Sequence, residues 1–440
     1  MTQPRILIRE LNQHIGQTVF IKGFLHKKRE VSSKLAFAVV RDRSGLIQVV
    51  IEDNQVISQL KGLQNGTILY IQGLVKEDKR SAIGVEMGEP VIEVIVPIAE
   101  VPPIEIDKDI NHNPESFDIL FDNRSLNVRN PKEAGIFRVK AKLIQSIRDF
   151  LIGEDFLEID SPKILAGATE GGAEVFSVDY FGQKAVLAQS PQFYKQMMVG
   201  GFERVFEIGH AYRAELSYTT RHLTETIMLD IEMGFVDGLT DVLTVTENLI
   251  KSVCDNVWSS NASELTALGA VKPVLSDKFP VITLSQLHKM FSEATGKNTI
   301  GDDDCTPEEE RWICDYAAAN LGSEAVFISE FPSSDMKFYQ KKLEGNQLVT
   351  DRVDLLFRGI ELATIPLREN NYDKLVAQIR GAGLDPESDG FKYYVTAFKH
   401  GLPPHGGFGL GVDRFVKQLI GLSSVKEAVL FPRDVKRLMP

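Results

Sequence analysis

At 440 residues the chain is long enough for roughly two or three domains, and 43% hydrophobic with 25% charged residues excludes both a disordered and a fibrous protein. No apolar run reaches the roughly 20 residues of a membrane span, and the opening MTQPRILIREL has no signal-peptide core, so a cytoplasmic protein with no membrane partner is expected. A net charge of −12 argues mildly against nucleic-acid binding by the whole chain, yet residues 1–50 carry 9 Lys or Arg against 3 acids.

From Thr18 to Ile98, short alternating apolar runs separated by turn residues read as strands: TVFIKGFLHKK, LAFAVVRDRSGLIQVVIED, GTILYIQGLVKE and IGVEMGEPVIEVIVPI. Their length and spacing predict a five-stranded β-barrel of the oligonucleotide-binding type over residues 1–100, with Gly23, Gly45 and Gly73 at its bends and turns. Strand pattern alone leaves a ligand-free structural barrel equally open. The basic opening segment, and Phe37 offering a stacking face beside Arg41, favour single-stranded nucleic acid.

Pro102, Pro103 and the polar run EIDKDINHNPESFD predict a hinge over 101–129, with a second domain over 130–440. Asn130-Pro131 opens a helix as cap and first helical residue, and Ile136, Val139, Leu143 and Ile147 recur along it at helical spacing until about Gly153. Pro162 interrupts the strand-like FLEIDSPKI and belongs at a sheet edge or a subunit contact. KAVLAQSPQFYKQMM then ends a strand in Gln189, Ser190 and Gln192 and begins a helix bearing Lys195. RVFEIGHAYRAELSYTTRHLTETIMLDIEMGF gives two strands, with Arg213 and Glu215 on one face and Arg221 and His222 in the loop between them. Singly, each of these is most simply a solvated or satisfied group. Together, three cations and a carboxylate on adjacent strands suit a triphosphate.

Residues 238–320 read as a helical insertion with little chemistry, in which Thr306-Pro307-Glu308-Glu309 opens a helix with a capping box. Cys254, Cys305 and Cys314 have no CxxC spacing, so neither a zinc site nor a disulfide framework is indicated. Asp354 and Glu361 lie on strand-like segments, and carboxylates near phosphates are what Mg²⁺ requires, with a plain surface charge the alternative for Asp354. In the closing GLPPHGGFGLGVDRF, Gly406, Gly407, Gly409 and Gly411 precede Arg414: a bare strand leading into a helix with a fixed cation. Either a planar phosphate-bearing ligand or tight packing would fit it.

With GEDFLEIDSPKI, VFEIGHAYRAE through RHL, and GGFGLGVDRF in one chain, the sequence resembles the class II aminoacyl-tRNA synthetases. TEGGAEVF, LAQSPQFYKQ and LFPRDVKRL make it similar to the archaeal-type aspartyl enzymes over essentially its whole length. The resemblance implies an α+β protein, with an OB-type barrel that reads the anticodon and a catalytic domain built on an antiparallel sheet flanked by helices. It also implies a homodimer with Pro162 at the interface. The implied reaction is ATP-dependent activation of L-aspartate, aided by Mg²⁺, and transfer to tRNA(Asp); tRNA(Asn) stays open as a second substrate.

By the same resemblance Arg213 would hold the α-phosphate and attacking carboxylate, Arg221, His222 and Arg414 the outer phosphates, and Glu215 the adenine amino group, above Gly409 and Gly411. Mg²⁺ would fall to Glu361 and Thr364, supported by Asp354. Lys195 and Arg368 would grip the aspartate side chain, with Glu170, Asp230 and Gln192 around its amino group. Such charge-assisted bonds reject asparagine, whose amide leaves buried cations unpaired, and an asparaginyl enzyme would lack the lysine. In the barrel, Phe37 would stack on a base and Gln48 and Glu86 would meet base edges, while His26 and Ala82 resemble the members that charge both tRNAs.

Three departures stand out. Family members carry a Ser-Ser-Gly-Gly-Gln type run where this chain has Leu362-Ala363-Thr364-Ile365-Pro366-Leu367, so Ile365 and Pro366 are expected to form a bulky, φ-locked pocket wall. Thr226 replaces an aromatic that stacks on adenine, and Met336-Lys337 a basic-Pro pair. An altered amino-acid substrate, or a non-catalytic tRNA-binding role, therefore stays open beside the ligase.

Overall fold

The computed structural model describes residues 4–108, 117–167 and 174–440, and the chain divides into two compact units, Met1–Glu133 and Ala134–Pro440. In the first unit, strands β1 (Thr18–Ser32), β2 (Leu35–Arg41), β3 (Leu46–Ile51), β4 (Ile68–Glu77) and β5 (Val85–Val96) close into a barrel in the order β1-β2-β3-β5-β4. Strand alternation sends Ala36, Ala38 and Val40 of β2 and Ile47, Val49 and Ile51 of β3 inward, and closure removes the open edges. The long β1 pairs with β4 along Thr18–Phe24 and with β2 from Phe24 onward. Gly23 sits at that change of partner, where a Cβ would lie 2.6 Å from the Arg41 carbonyl oxygen, so only glycine lets the strands close up there. The segment expected as a hinge groups with the barrel unit.

The second unit is built on an eight-stranded sheet ordered Val281–Thr283, Ala325–Ser329, Arg352–Phe357, Ile360–Pro366, His405–Gly411, Glu225–Gly234, Arg204–Tyr212 and Leu157–Glu158. The interior pairings are antiparallel as expected, but the outermost pair at each edge is parallel, so the sheet is mixed. Parallel pairing needs a crossover. The helices Leu284–Thr295 and Pro307–Leu321 supply it at one edge, and helix Gln192–Phe202 precedes the parallel partner at the other.

One face of this sheet is apolar: Leu229 and Ile231, Ala363 and Ile365, Phe408 and Leu410, and Val353 and Leu355 share one core with four helices. Helix Pro131–Gly153 starts as predicted, the Lys132 N–H donating to Asn130 Oδ1 at 2.9 Å, and buries Ile136, Val139, Leu143 and Ile147. The segment expected as an insertion divides in two. Helix Leu239–Ser260 gives Val242, Val245 and Leu249 to the main core. Helices Leu284–Thr295 and Pro307–Leu321 form a separate cluster against the sheet edge. The Thr306 cap forms as read from the sequence, its Oγ1 accepting from Glu309 N–H at 3.2 Å.

Candidate active site

The opposite face of the sheet carries a polar row. Register pairs Asp354↔Thr364, Thr364↔Gly409, Gly409↔Asp230 and Asp230↔Glu207 set these residues in line across five strands. Above it lies a cavity of about 330 Å³, whose walls include Gln192, Lys195, Arg213, Glu215, Arg221, His222, Asp230, Glu361, Thr364, Arg368, Gly409, Gly411 and Arg414. Segments far apart in sequence thus meet around one cavity. Glu170 lies outside the described residues, and Asp354 is buried and does not line the cavity.

The glycine strand has two jobs. A Cβ on Gly407 would lie 2.1 Å from the Ile231 carbonyl oxygen, and one on Gly406 would press Leu367 and Val242, so both are packing requirements. Phe408 and Leu410 face the core. Only Gly409 and Gly411 line the cavity, so the bare surface is narrower than the whole stretch from Gly406 to Gly411.

The departures at residues 362–367 are resolved by strand alternation. Ile365 is fully buried in the main core and points away from the cavity, so the expected bulky wall reduces to Pro366, which does line it. Proline in an interior strand costs a ladder bond. The pairing with the glycine strand accordingly stops at Thr364↔Gly409 and resumes as a single bridge at Leu367↔Gly406. A second irregularity is constructive. Leu355 pairs with Ala363 but Leu356 with Glu361, leaving Leu362 as an extra residue. This bulge brings Glu361 and Thr364, three apart, onto one face, where the Thr364 hydroxyl donates to Glu361 Oε1 at 2.9 Å. Thr226, also on the wall, has its hydroxyl committed to Asp413 Oδ2 at 2.9 Å.

Four buried charges form one group. Lys195, 1% exposed, donates to Asp230 Oδ1 at 2.9 Å and to the Phe408 carbonyl at 3.0 Å. Arg368 grips Glu232 through Nε and Nη2, at 2.9 and 3.0 Å, and its guanidinium lies 5.3 Å from the Tyr339 ring centre. Burial alone would raise the Glu232 pKa, but Arg368 and then Lys195 outweigh it and hold the carboxylate below its ordinary value. Behind them Gln196 Oε1 accepts from Gln192 Nε2 and the Tyr394 hydroxyl, and its nitrogen meets His405 Nε2 at 2.9 Å. His405 Nδ1 therefore carries the proton and donates to the Pro403 carbonyl, which suits the lowering of its pKa by burial. Glu232, Gln196 and His405 were missed from the sequence. Strand alternation from Asp230 already marks Glu232; the other two carry no local signal.

The second charged group surrounds Glu361. Burial pushes its pKa up, but Arg414, with Nη1 3.6 Å from Oε2, leads the opposing effects and keeps it ionised. Asp354 is gripped by Arg352 through Nε and Nη2, at 3.1 and 2.6 Å, and burial still lifts its pKa to about 6. Arg221 donates from Nη2 to both oxygens of Glu310, on the helix read as lacking chemistry. Burial and then Arg414 lower the His222 pKa, so around neutral pH it is a neutral ring and not a third cation. Its Nδ1 meets Thr219 Oγ1 at 2.6 Å.

On the barrel, cross-strand pairing overrides spacing along the strand. Arg29, register partner of Phe37, stacks on it at 5.4 Å, and Arg41 stacks on its own partner Phe24 at 4.8 Å. Phe37 therefore shares its ring with Arg29 and not Arg41, because direct cross-strand neighbours lie about 5 Å apart and residues four apart on one strand about 13 Å. Gln48 Nε2 donates to Glu86 Oε2 at 3.2 Å on the same outer surface. His26 is the extra residue of a bulge in β1, is buried, and leaves Nδ1 without a partner among the described residues.

A mixed sheet with arginines, a carboxylate and a glycine strand around one cavity, in a chain that also carries an OB barrel, defines the class II tRNA synthetases. The family model for class II tRNA synthetases (D, K and N) matches residues 116–435, and that for the OB-fold nucleic acid binding domain matches residues 19–100. The chain belongs to the D, K and N family of class II tRNA synthetases. It is 40% identical to an aspartate–tRNA(Asp/Asn) ligase of Deinococcus radiodurans, covering 100% of both chains. It is 36% identical to an aspartate–tRNA(Asp) ligase of Pyrococcus abyssi, over 99% of this chain and 98% of that one. Among solved structures, asparaginyl-tRNA synthetase from Pyrococcus horikoshii complexed with asparaginyl-adenylate superposes with a TM-score of 0.91 at 30% identity, covering 100% of both chains.

Proposed function

We propose that the chain is an ATP-dependent ligase that activates L-aspartate and attaches it to tRNA(Asp). The observation that carries this reading is the buried Lys195 and Arg368, two cations held on one cavity wall by Asp230 and Glu232. Two of three ammonium donors of Lys195 and two of five guanidinium donors of Arg368 are used among the described residues. A carboxylate side chain would satisfy the rest, whereas an amide would set its N–H₂ against them. The same pair argues against asparagine as the activated amino acid.

In the first step an oxygen of the aspartate α-carboxylate bonds to the ATP α-phosphorus, and the bond to the bridging oxygen breaks to release pyrophosphate. Negative charge builds on the phosphoryl oxygens, so Arg213 at the α-phosphate and Arg221 and Arg414 at the outer phosphates act by position and charge. In the second step a terminal ribose hydroxyl of tRNA attacks the activated carbonyl and AMP leaves. Mg²⁺ suits the Glu361 carboxylate with the Thr364 hydroxyl, since it takes few protein oxygens beside phosphates. When bound, it would neutralise phosphate charge. Asp354, already gripped by Arg352, serves as support for that site. We further propose a homodimer through the Pro162 edge, where the two-residue strand Leu157–Glu158 is open and Leu157 and Ile164 are 45% and 47% exposed.

For tRNA, the reading extends to tRNA(Asn), supported by His26 and by likeness to a relative with that range. Transcripts with GUC and GUU anticodons are expected to be charged with aspartate at comparable rates. Absence of GUU charging would restrict the enzyme to tRNA(Asp).

A further inference from the structure

We infer that Glu310 is a positioning residue of the nucleotide site, holding Arg221 in the orientation in which it meets the outer phosphates. The inference deepens the ligase reading and rests on its assignment of Arg221 to ATP.

Glu310 lies near the start of helix Pro307–Leu321, an element that supplies none of the other phosphate residues. Its side chain is 8% exposed, and both oxygens accept from Arg221 Nη2, at 2.9 and 2.7 Å. Oε2 also accepts the Glu361 backbone N–H at 3.3 Å, tying the helix to the strand of the expected Mg²⁺ ligand. Burial, with Glu361 adding to it, holds the Glu310 pKa above its ordinary value, and Arg221 offsets this only in part.

The pairing uses one guanidinium nitrogen and not the two-nitrogen fork that best matches a carboxylate. Arg221 Nε is buried with no hydrogen-bond partner among the described residues. A buried donor left open is costly, and in a cavity-lining arginine it points to an acceptor supplied by the ligand. Glu310 thus fixes one corner of the guanidinium and leaves donors for phosphate oxygens, so the side chain need not be ordered when ATP binds.

The test is equilibrium binding of ATP and of AMP to the full chain, wild type, Glu310→Ala, Glu310→Gln, Arg221→Ala and the double variant. Glu310→Ala is expected to weaken ATP roughly 10- to 100-fold, the scale of one charge-assisted bond, and to leave AMP within about twofold because it lacks the outer phosphates. Glu310→Gln, which keeps an acceptor, should lose less. In the Arg221→Ala background Glu310→Ala should have no further effect. Equal losses for ATP and AMP would mark a structural role, additivity with Arg221→Ala an independent one, and tighter ATP binding a competitor for Arg221; each overturns the inference. A wild type that binds ATP but exchanges no pyrophosphate with aspartate would refute the ligase reading and leave this one standing.

Discussion

Lys195→Ala is expected to lower kcat/KM for aspartate in ATP–pyrophosphate exchange by roughly 10³-fold or more, the scale on which a site built around a polar group rejects a mismatch. The ammonium would face the ligand carboxylate from a fully buried position, where no water can stand in for it. The same change is expected to weaken the fold. Lys195 neutralises Asp230, 3% exposed, and lies 3.7 Å from Glu232 Oε2. Removing one partner of a buried pair costs about 3–5 kcal/mol, because the remaining charge is stranded. The variant should therefore melt at a lower temperature as well as lose activity. Lys195→Ala/Asp230→Asn, which removes both charges, should recover much of the stability and none of the activity. A single variant that keeps near-normal exchange with aspartate would sink the assignment.

Arg213→Ala is expected to act on the chemical step. Arg213 follows the strand Arg204–Tyr212, its N–H donating to the Thr224 carbonyl at 2.9 Å, which fixes the backbone where the chain leaves the sheet. Its guanidinium, 3.9 Å from the Glu215 carboxylate, lines the cavity. A cation at the reacting phosphate stabilises charge that develops only in the transition state, and losing one such donor costs about 10²–10³ in kcat. Single-turnover adenylate formation should slow by that factor while KM for aspartate changes little. A rise in KM with unchanged rate would instead make Arg213 a ground-state binding residue.

How much of this was legible in the sequence depends on the range of the interaction. The barrel and the helix caps at Asn130 and Thr306 follow from local patterns, and all could be read. Side-chain facing was harder. Phe37 and Arg41 share a strand face, but register, set by pairing across the barrel, gave each a different partner. Ile365 looked like pocket wall because the bulge at Leu362, which shifts every later residue by one face, has no sequence signal. Glycine content gave Gly406 to Gly411 as one bare surface, yet alternation splits it between packing and ligand. Glu310 lay out of reach, since its partner is 89 residues away and only the folded chain brings the helix to Arg221.

The central claim is that the buried cation pair selects a carboxylate side chain. ATP–pyrophosphate exchange with the purified chain, run in parallel with aspartate, asparagine and the remaining amino acids, tests it most directly. Exchange with aspartate and none above background with asparagine is the predicted result. Exchange supported by asparagine in place of aspartate, or by no amino acid, would contradict it.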